Sequence, residues 1–266
     1  MLEIVPLSPI IGAEIRAIDL SAGVAASVAT ELRRALARHV ALVFRRQRLS
    51  PDRLLAAVGA LGQPERQNYS QFNHPEFPDI GILDYEGEQT PANMWHTDHT
   101  NRVAPPMATV LYAVAVPGHG GDTSIANMRA AYAALPATLQ RELESLKTVN
   151  TFDGQFAVRA NDRERFGTPV VHPLVRTHPE TGEKALYFHI LKAERIVGRT
   201  PQASRVFLQD LLDRAIEPAF VYRHRWQVGD VLVIDNRSAM HKVHDDYDRA
   251  EKRLLHRVII AGDRPI

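Results

Sequence analysis

The segment Met94-Trp95-His96-Thr97-Asp98-His99 places two imidazoles and a carboxylate within four positions. These are nitrogen and oxygen donors suited to a divalent metal. The flanking runs P-A-N-M-W and V-A-P-P disfavour a helix. In an extended segment, side chains two apart share a face, so His96 and Asp98 point together and His99 points away. Short H-x-D matches are common in unrelated loops, so this pair needs a distant third ligand to mean anything. The late run I-D-N-R-S-A-M-H-K-V-H-D-D-Y offers His241 and His244, and spacing alone leaves both open. Two histidines and one carboxylate on one face of a metal form the arrangement of non-haem Fe(II) oxygenases. That arrangement leaves positions for a chelating 2-oxo acid and dioxygen. A 2-oxo acid needs a partner for its far carboxylate, and a guanidinium fork supplies one bidentately. Arg253 and Arg257, in E-K-R-L-L-H-R-V-I-I, are four apart in a run that reads as a strand, which would put them on one face.

The elements that must position these groups are mostly short and β-type. The chain has 266 residues, 45% apolar and 24% charged, enough for a real core. Runs 41–46, 79–85, 108–116, 123–128, 185–190, 221–226, 230–235 and 254–262 read as strands, and H-P-E-T-G-E-K (178–184) reads as a hairpin turn. Helical spacing marks 25–39, 50–61 (Ser50 at the cap, Pro51 following), about 129–146 around Pro136, and 200–216. Strands punctuated by turns, with helices grouped early and late, predict a mainly β fold with flanking helices, a sandwich or barrel with a pocket at its mouth. No repeat, low-complexity segment or linker appears, so one domain over 1–266 is expected.

Composition narrows the partners. Lysine plus arginine number 32 against 31 acids, which argues against a nucleic-acid or membrane-surface protein. There are no cysteines, so disulfides, thiolate nucleophiles and cysteine zinc sites are excluded. No run reaches the length of a membrane span, and the start lacks a signal-peptide pattern; a cytoplasmic protein is expected.

Taken together, W-H-x-D, G-G-D-T, G-D-x-x-x-x-D-N-R and R-x-x-H-R, in this order and nearly end to end, resemble the taurine dioxygenase and 2,4-dichlorophenoxyacetate dioxygenase family. These are Fe(II)- and 2-oxoglutarate-dependent oxygenases. The resemblance implies a double-stranded β-helix (jelly-roll) core. It implies His96, Asp98 and His241 as metal ligands, with His244 outside the ligand set. It implies Thr123 of G-G-D-T and Arg253 as holders of 2-oxoglutarate, and Arg257 as the group facing an anionic substrate end. The loop D-D-Y-D-R-A-E-K-R is one residue longer than the family's usual one, so the arginine assignments rest on R-x-x-H-R. The implied reaction consumes dioxygen and 2-oxoglutarate, hydroxylates a substrate C–H bond, and releases succinate and carbon dioxide. Retention of Asp98 points to hydroxylation, since related halogenases lack that carboxylate.

Substrate identity is less legible. Where the taurine enzyme has a histidine and a tyrosine, this chain reads G-Q-P-E-R-Q-N-Y-S, offering Gln67, Asn68 and Tyr69 and no histidine. Asn93 matches an asparagine three before the first ligand. Tyr69, Asn93 and Phe188 are candidate pocket residues, although strand packing is the simpler account of Tyr187 and Phe188. A small carboxylate, sulfonate or sulfate ester is expected, taurine-like or phenoxyalkanoate-like, and a homo-oligomer fits the family. Two other functions stay open. A divalent-metal hydrolase would use the same ligands but not Arg253 or Thr123. A non-catalytic jelly-roll module would hold a small acid without turnover.

Overall fold

The computed structural model describes residues 2–84, 92–152 and 158–266. An eight-stranded sheet runs in the order Glu3–Pro6, Ala13–Arg16, Ala41–Phe44, Val231–Asp235, Ala108–Ala115, Leu254–Ile260, Pro64–Glu65, with Gly81–Asp84 also paired to Leu254–Ile260. A smaller sheet places Thr123–Asn127 between Val221–His224 and Ala239–Val243, all antiparallel. Two further small sheets and six α-helices complete the described residues. The architecture is mainly β with flanking helices, a jelly roll.

The large sheet is covered on both faces, which is why its strands read as apolar runs rather than alternating ones. Leu42, Phe44, Val110, Val231, Val233 and Val258 pack outward against Leu32, Leu36, Leu54 and Val58 of the helices Ala26–His39 and Pro51–Leu61. Their neighbours Val43, Leu111, Leu232, Ile234 and Leu255 turn inward to meet Ile125 and Ala239 of the small sheet. Strand parity therefore also fixes which polar residues face the interior. Thr109 and Arg257 share the inward face of Leu111 and Leu255, and Thr123 and His241 that of Ile125. The outer side of the small sheet carries Ala126 and Met240, packed with Leu208 and Leu211 of the helix Pro201–Ala215.

Several elements differ from the sequence reading. The run 185–190 is strand only over Lys184–Leu186. His189 then accepts the backbone N–H groups of Leu191 and Lys192 at its Nδ1, which makes a local turn of what looked like strand. The span 129–146 divides into Met128–Ala133 and Ala137–Glu144, because Pro136 cannot continue a helix. The strand Ala239–Val243 and the helix Ala160–Phe166 carry too little periodicity to be read from sequence. Ser50 precedes its helix without a side-chain cap bond, whereas Thr200 does cap, accepting from Ala203 N.

A buried charge network pins the hairpin after Thr177 to the strand leading to His241. His178 accepts the N–H of Glu180 and Thr181 at Nδ1, so its Nε2–H donates to Asp235, at 3.0 Å. Arg237 donates to both oxygens of Asp235, at 2.9 and 2.8 Å. Burial alone would raise the Asp235 pKa, but the bonds from Arg237 and His178 outweigh it and hold it well below the usual carboxylate range. A depressed folded-state pKa contributes stability that is complete above the unfolded value near 4 and is lost as pH falls below it. Asp235→Ala is expected to cost about 3–5 kcal/mol at neutral pH, since it leaves Arg237 buried without its main partner. It should also flatten the loss of stability below about pH 4. Urea unfolding at several pH values checks both.

Candidate metal centre

The segment carrying His96 is stitched to the strand carrying His241. His96 N donates to His241 O at 3.0 Å, and His241 N donates to His96 O at 2.7 Å. A reciprocal antiparallel pair of this kind places its two side chains on the same face. The imidazole centroids lie 4.3 Å apart. Asp98, two residues on, swings to the same side, its Oδ1 3.9 Å from His96 Nε2. One donor atom from each of His96, Asp98 and His241 falls within 4.8 Å of the others, and all three residues are buried. His244 is elsewhere: its Nε2 meets Ser124 Oγ at 2.7 Å. The structure therefore joins the H-x-D pair to His241, not to His244.

Protonation suits a cation. His96 Nδ1–H donates to the carbonyl of Met94 at 2.9 Å, which leaves Nε2 with its lone pair toward Asp98. Burial, reinforced by His96, pushes His241 down to about 3. Burial likewise lowers His96, against the pull of Asp98. Burial would raise Asp98, but Arg257 foremost, then the neighbouring imidazoles, hold it well below its usual range. Two neutral imidazoles and one carboxylate carry a single negative charge, a donor set that fits a divalent ion and leaves net positive charge for an anionic cosubstrate.

Arg253 is bonded to the loop that leads into Thr123. Arg253 Nε donates to Gly121 O at 2.9 Å. Gly120 and Gly121 both have positive φ, and a Cβ at 121 would lie 3.1 Å from the Arg253 side chain, so only glycine lets the guanidinium lie this close. Thr123 is fully buried, and Trp226 Nε1 donates to its Oγ1 at 3.1 Å. That bond occupies a lone pair and leaves the hydroxyl proton to be donated elsewhere. A hydroxyl donor and a buried guanidinium at one loop are groups that suit a carboxylate.

The two arginines have different partners. Arg253 precedes the strand Leu254–Ile260, whose pairing with Ala108–Ala115 shifts register between Leu254 and Leu255 while its pairing with Gly81–Asp84 runs unbroken. Arg257 Nη1 lies 3.5 Å from Asp98 Oδ1, and its Nε and Nη2 donate to Gln67 Oε1. Gln67 stands in the stretch where the sequence offered Gln67, Asn68 and Tyr69. Tyr69 is buried and accepts from Lys192 Nζ at 3.1 Å, and that ammonium lies over the Tyr69 and Phe152 rings. Asn93 is exposed. Phe188 is fully buried in the cluster with Trp95, Met128 and Met240.

Three further buried residues lie near the centre, of which Lys192 and His189 had no signal in the sequence and His99 was read as pointing away from the ligand pair. His189 lies 5.5 Å from His96, ring to ring, and burial holds it neutral. His99 has φ +52°, and among the described residues neither ring nitrogen has a hydrogen-bond partner. A left-handed backbone at a non-glycine residue costs free energy.

Comparison with known proteins gives a consistent result. The family described as "Taurine catabolism dioxygenase TauD, TfdA family" matches residues 3–259. The chain is 34% identical to the alpha-ketoglutarate-dependent 2,4-dichlorophenoxyacetate dioxygenase of Cupriavidus pinatubonensis, covering 97% of each. It is 34% identical to the alpha-ketoglutarate-dependent sulfate ester dioxygenase of Pseudomonas putida, covering 100% of this chain and 91% of that one. A crystal structure titled as a putative alpha-ketoglutarate-dependent taurine dioxygenase from Burkholderia xenovorans superposes with a TM-score of 0.86 at 34% identity, over 100% of this chain and 91% of that one. A structure of AAD-2 in complex with Mn(II) and N-oxalylglycine superposes with a TM-score of 0.86 at 28% identity, over 100% and 99%. The chain belongs to this family.

The two candidate distal histidines separate by experiment. His96→Ala and His241→Ala are expected to abolish Co(II) binding in a calorimetric titration, each removing one of three ligands. His244→Ala is expected to bind Co(II) as the unaltered protein does.

Proposed function

We propose that this member of the taurine catabolism dioxygenase TauD, TfdA family hydroxylates a small anionic substrate at the expense of 2-oxoglutarate and dioxygen, through one domain spanning residues 1–266. The chain is an Fe(II)- and 2-oxoglutarate-dependent dioxygenase. In this reading His96, Asp98 and His241 hold Fe(II), Thr123 and Arg253 hold 2-oxoglutarate, and Arg257 faces the substrate. The observation that carries it is the convergence of three buried donors from distant parts of the chain within 4.8 Å.

Bound Fe(II) supplies the electrons and the Lewis acidity with which dioxygen is reduced as 2-oxoglutarate loses carbon dioxide. The chain's own residues do the rest. The guanidinium of Arg253 and the hydroxyl of Thr123 receive the far carboxylate of the cosubstrate and aim its 2-oxo end at the three ligands. The His96 imidazole is kept in one tautomer by Met94. The jelly-roll walls, apolar on both sides of the large sheet, exclude water from the reacting atoms.

An anionic substrate is supported by the resemblance of R-x-x-H-R and by the cationic Arg257 lying within 3.5 Å of Asp98, next to the candidate ligands. The relatives named for 2,4-dichlorophenoxyacetate and for sulfate esters act on molecules with an anionic end beside an ether or ester oxygen. Hydroxylation of the carbon next to such an oxygen gives a product that collapses with loss of the C–O bond. A phenoxyalkanoate or sulfate ester is the substrate class this supports. Taurine is the poorer fit, since no histidine stands in G-Q-P-E-R-Q-N-Y-S.

Fe(II) and 2-oxoglutarate added without oxygen to metal-free protein are expected to give a weak visible charge-transfer band, absent in His96→Ala. No band with iron bound would turn the reading toward a hydrolase or a small-acid binder. Asp98→Ala is expected to lose substrate-dependent oxygen uptake. Arg253→Ala is expected to raise the 2-oxoglutarate KM by about a hundredfold, as loss of a buried charge partner worth about 3 kcal/mol implies.

A further inference from the structure

The two oxygens of Asp98 have different surroundings. Oδ1 faces His96 Nε2 at 3.9 Å and Arg257 Nη1 at 3.5 Å. Oδ2 accepts a short bond, 2.6 Å, from Thr109 Oγ1. Thr109 is fully buried on the inward face of Ala108–Ala115, in a row with Leu111 and Ala113. A hydroxyl there is costly unless it is fully bonded. It is, and its direction is set. Asn236 Nδ2 donates to Thr109 Oγ1 at 2.9 Å, so the threonine proton goes to Asp98. Asn236 is itself fixed, its carbonyl accepting from Thr97 Oγ1 and its N–H donating to Met107 O, both at 2.9 Å.

We propose that Thr109 is a positioning residue for the metal: its hydroxyl occupies Asp98 Oδ2 and reserves Oδ1 for the ion. With Oδ2 engaged by Thr109, a bound ion would meet Asp98 through Oδ1. The relay Asn236→Thr109→Asp98 runs from the strand-end turn before His241 to the H-x-D segment, so one chain of bonds sets the aim of the carboxylate and ties together the two segments that carry the ligands. This rests on the assignment of His96, Asp98 and His241 as the metal ligands.

The test uses the whole protein loaded anaerobically with Co(II), whose visible absorption reports coordination number and geometry. Thr109→Val removes the hydroxyl and keeps the shape, and Thr109→Ser restores it. Far-UV circular dichroism and thermal unfolding establish that each variant is folded. The unaltered protein and Thr109→Ser are expected to share one band pattern. Thr109→Val is expected to show a changed pattern and a Kd for Co(II) raised by about tenfold or more. A folded Thr109→Val with the unaltered spectrum would overturn the proposal. Failure of the unaltered protein to bind Co(II), with His96→Ala no different, would instead overturn the metal assignment and this inference with it.

Discussion

The site depends on one reciprocal pair of backbone hydrogen bonds, between His96 and His241. These residues are 145 positions apart (241 − 96). The pair joins them as opposite members of an antiparallel ladder, which aligns their side chains without any contribution from the side chains themselves. The peptide backbone thus brings the two imidazoles together. Asp98 needs only its two-residue offset to reach the same face.

A carboxylate and two imidazoles in a buried setting must be reconciled with the apolar core around them. The chain does so asymmetrically. Burial keeps the imidazoles neutral, while Arg257 keeps Asp98 charged. Gln67 steadies Arg257 and Thr109 steadies Asp98, so both members of the charged pair have a neutral brace. A second polar cluster, His178, Asp235 and Arg237, lies just before Asn236 and anchors the turn that delivers His241. The segment from Asp235 to His241 thus takes part in both clusters, through Asp235 and Arg237 in one and Asn236 and His241 in the other.

At the candidate cosubstrate site, Trp226 bonds Thr123, and Arg253 bonds the carbonyl of Gly121 in the loop before it, where Gly120 and Gly121 both have positive φ.

By itself the sequence determined the ligand types, the order of the motifs and the apolar strand runs, because residue chemistry and two-residue alternation are local properties. From these the β class, the H-x-D pair and the family resemblance were all legible. Spacing alone left His241 and His244 open and only the resemblance favoured His241; the tertiary structure places His241 beside His96 and Asp98, through a backbone partner that lies far upstream. The structure gives the two arginines different partners, the carbonyl of Gly121 for Arg253 and the side chains of Asp98 and Gln67 for Arg257, contacts that no spacing in the sequence announces. It also withdrew Phe188 into the core and left Asn93 exposed, and it brought Thr109, Lys192 and His189 to the centre. None of these has a spacing signature. A lone threonine or lysine inside an apolar run acquires meaning only from what the fold packs against it.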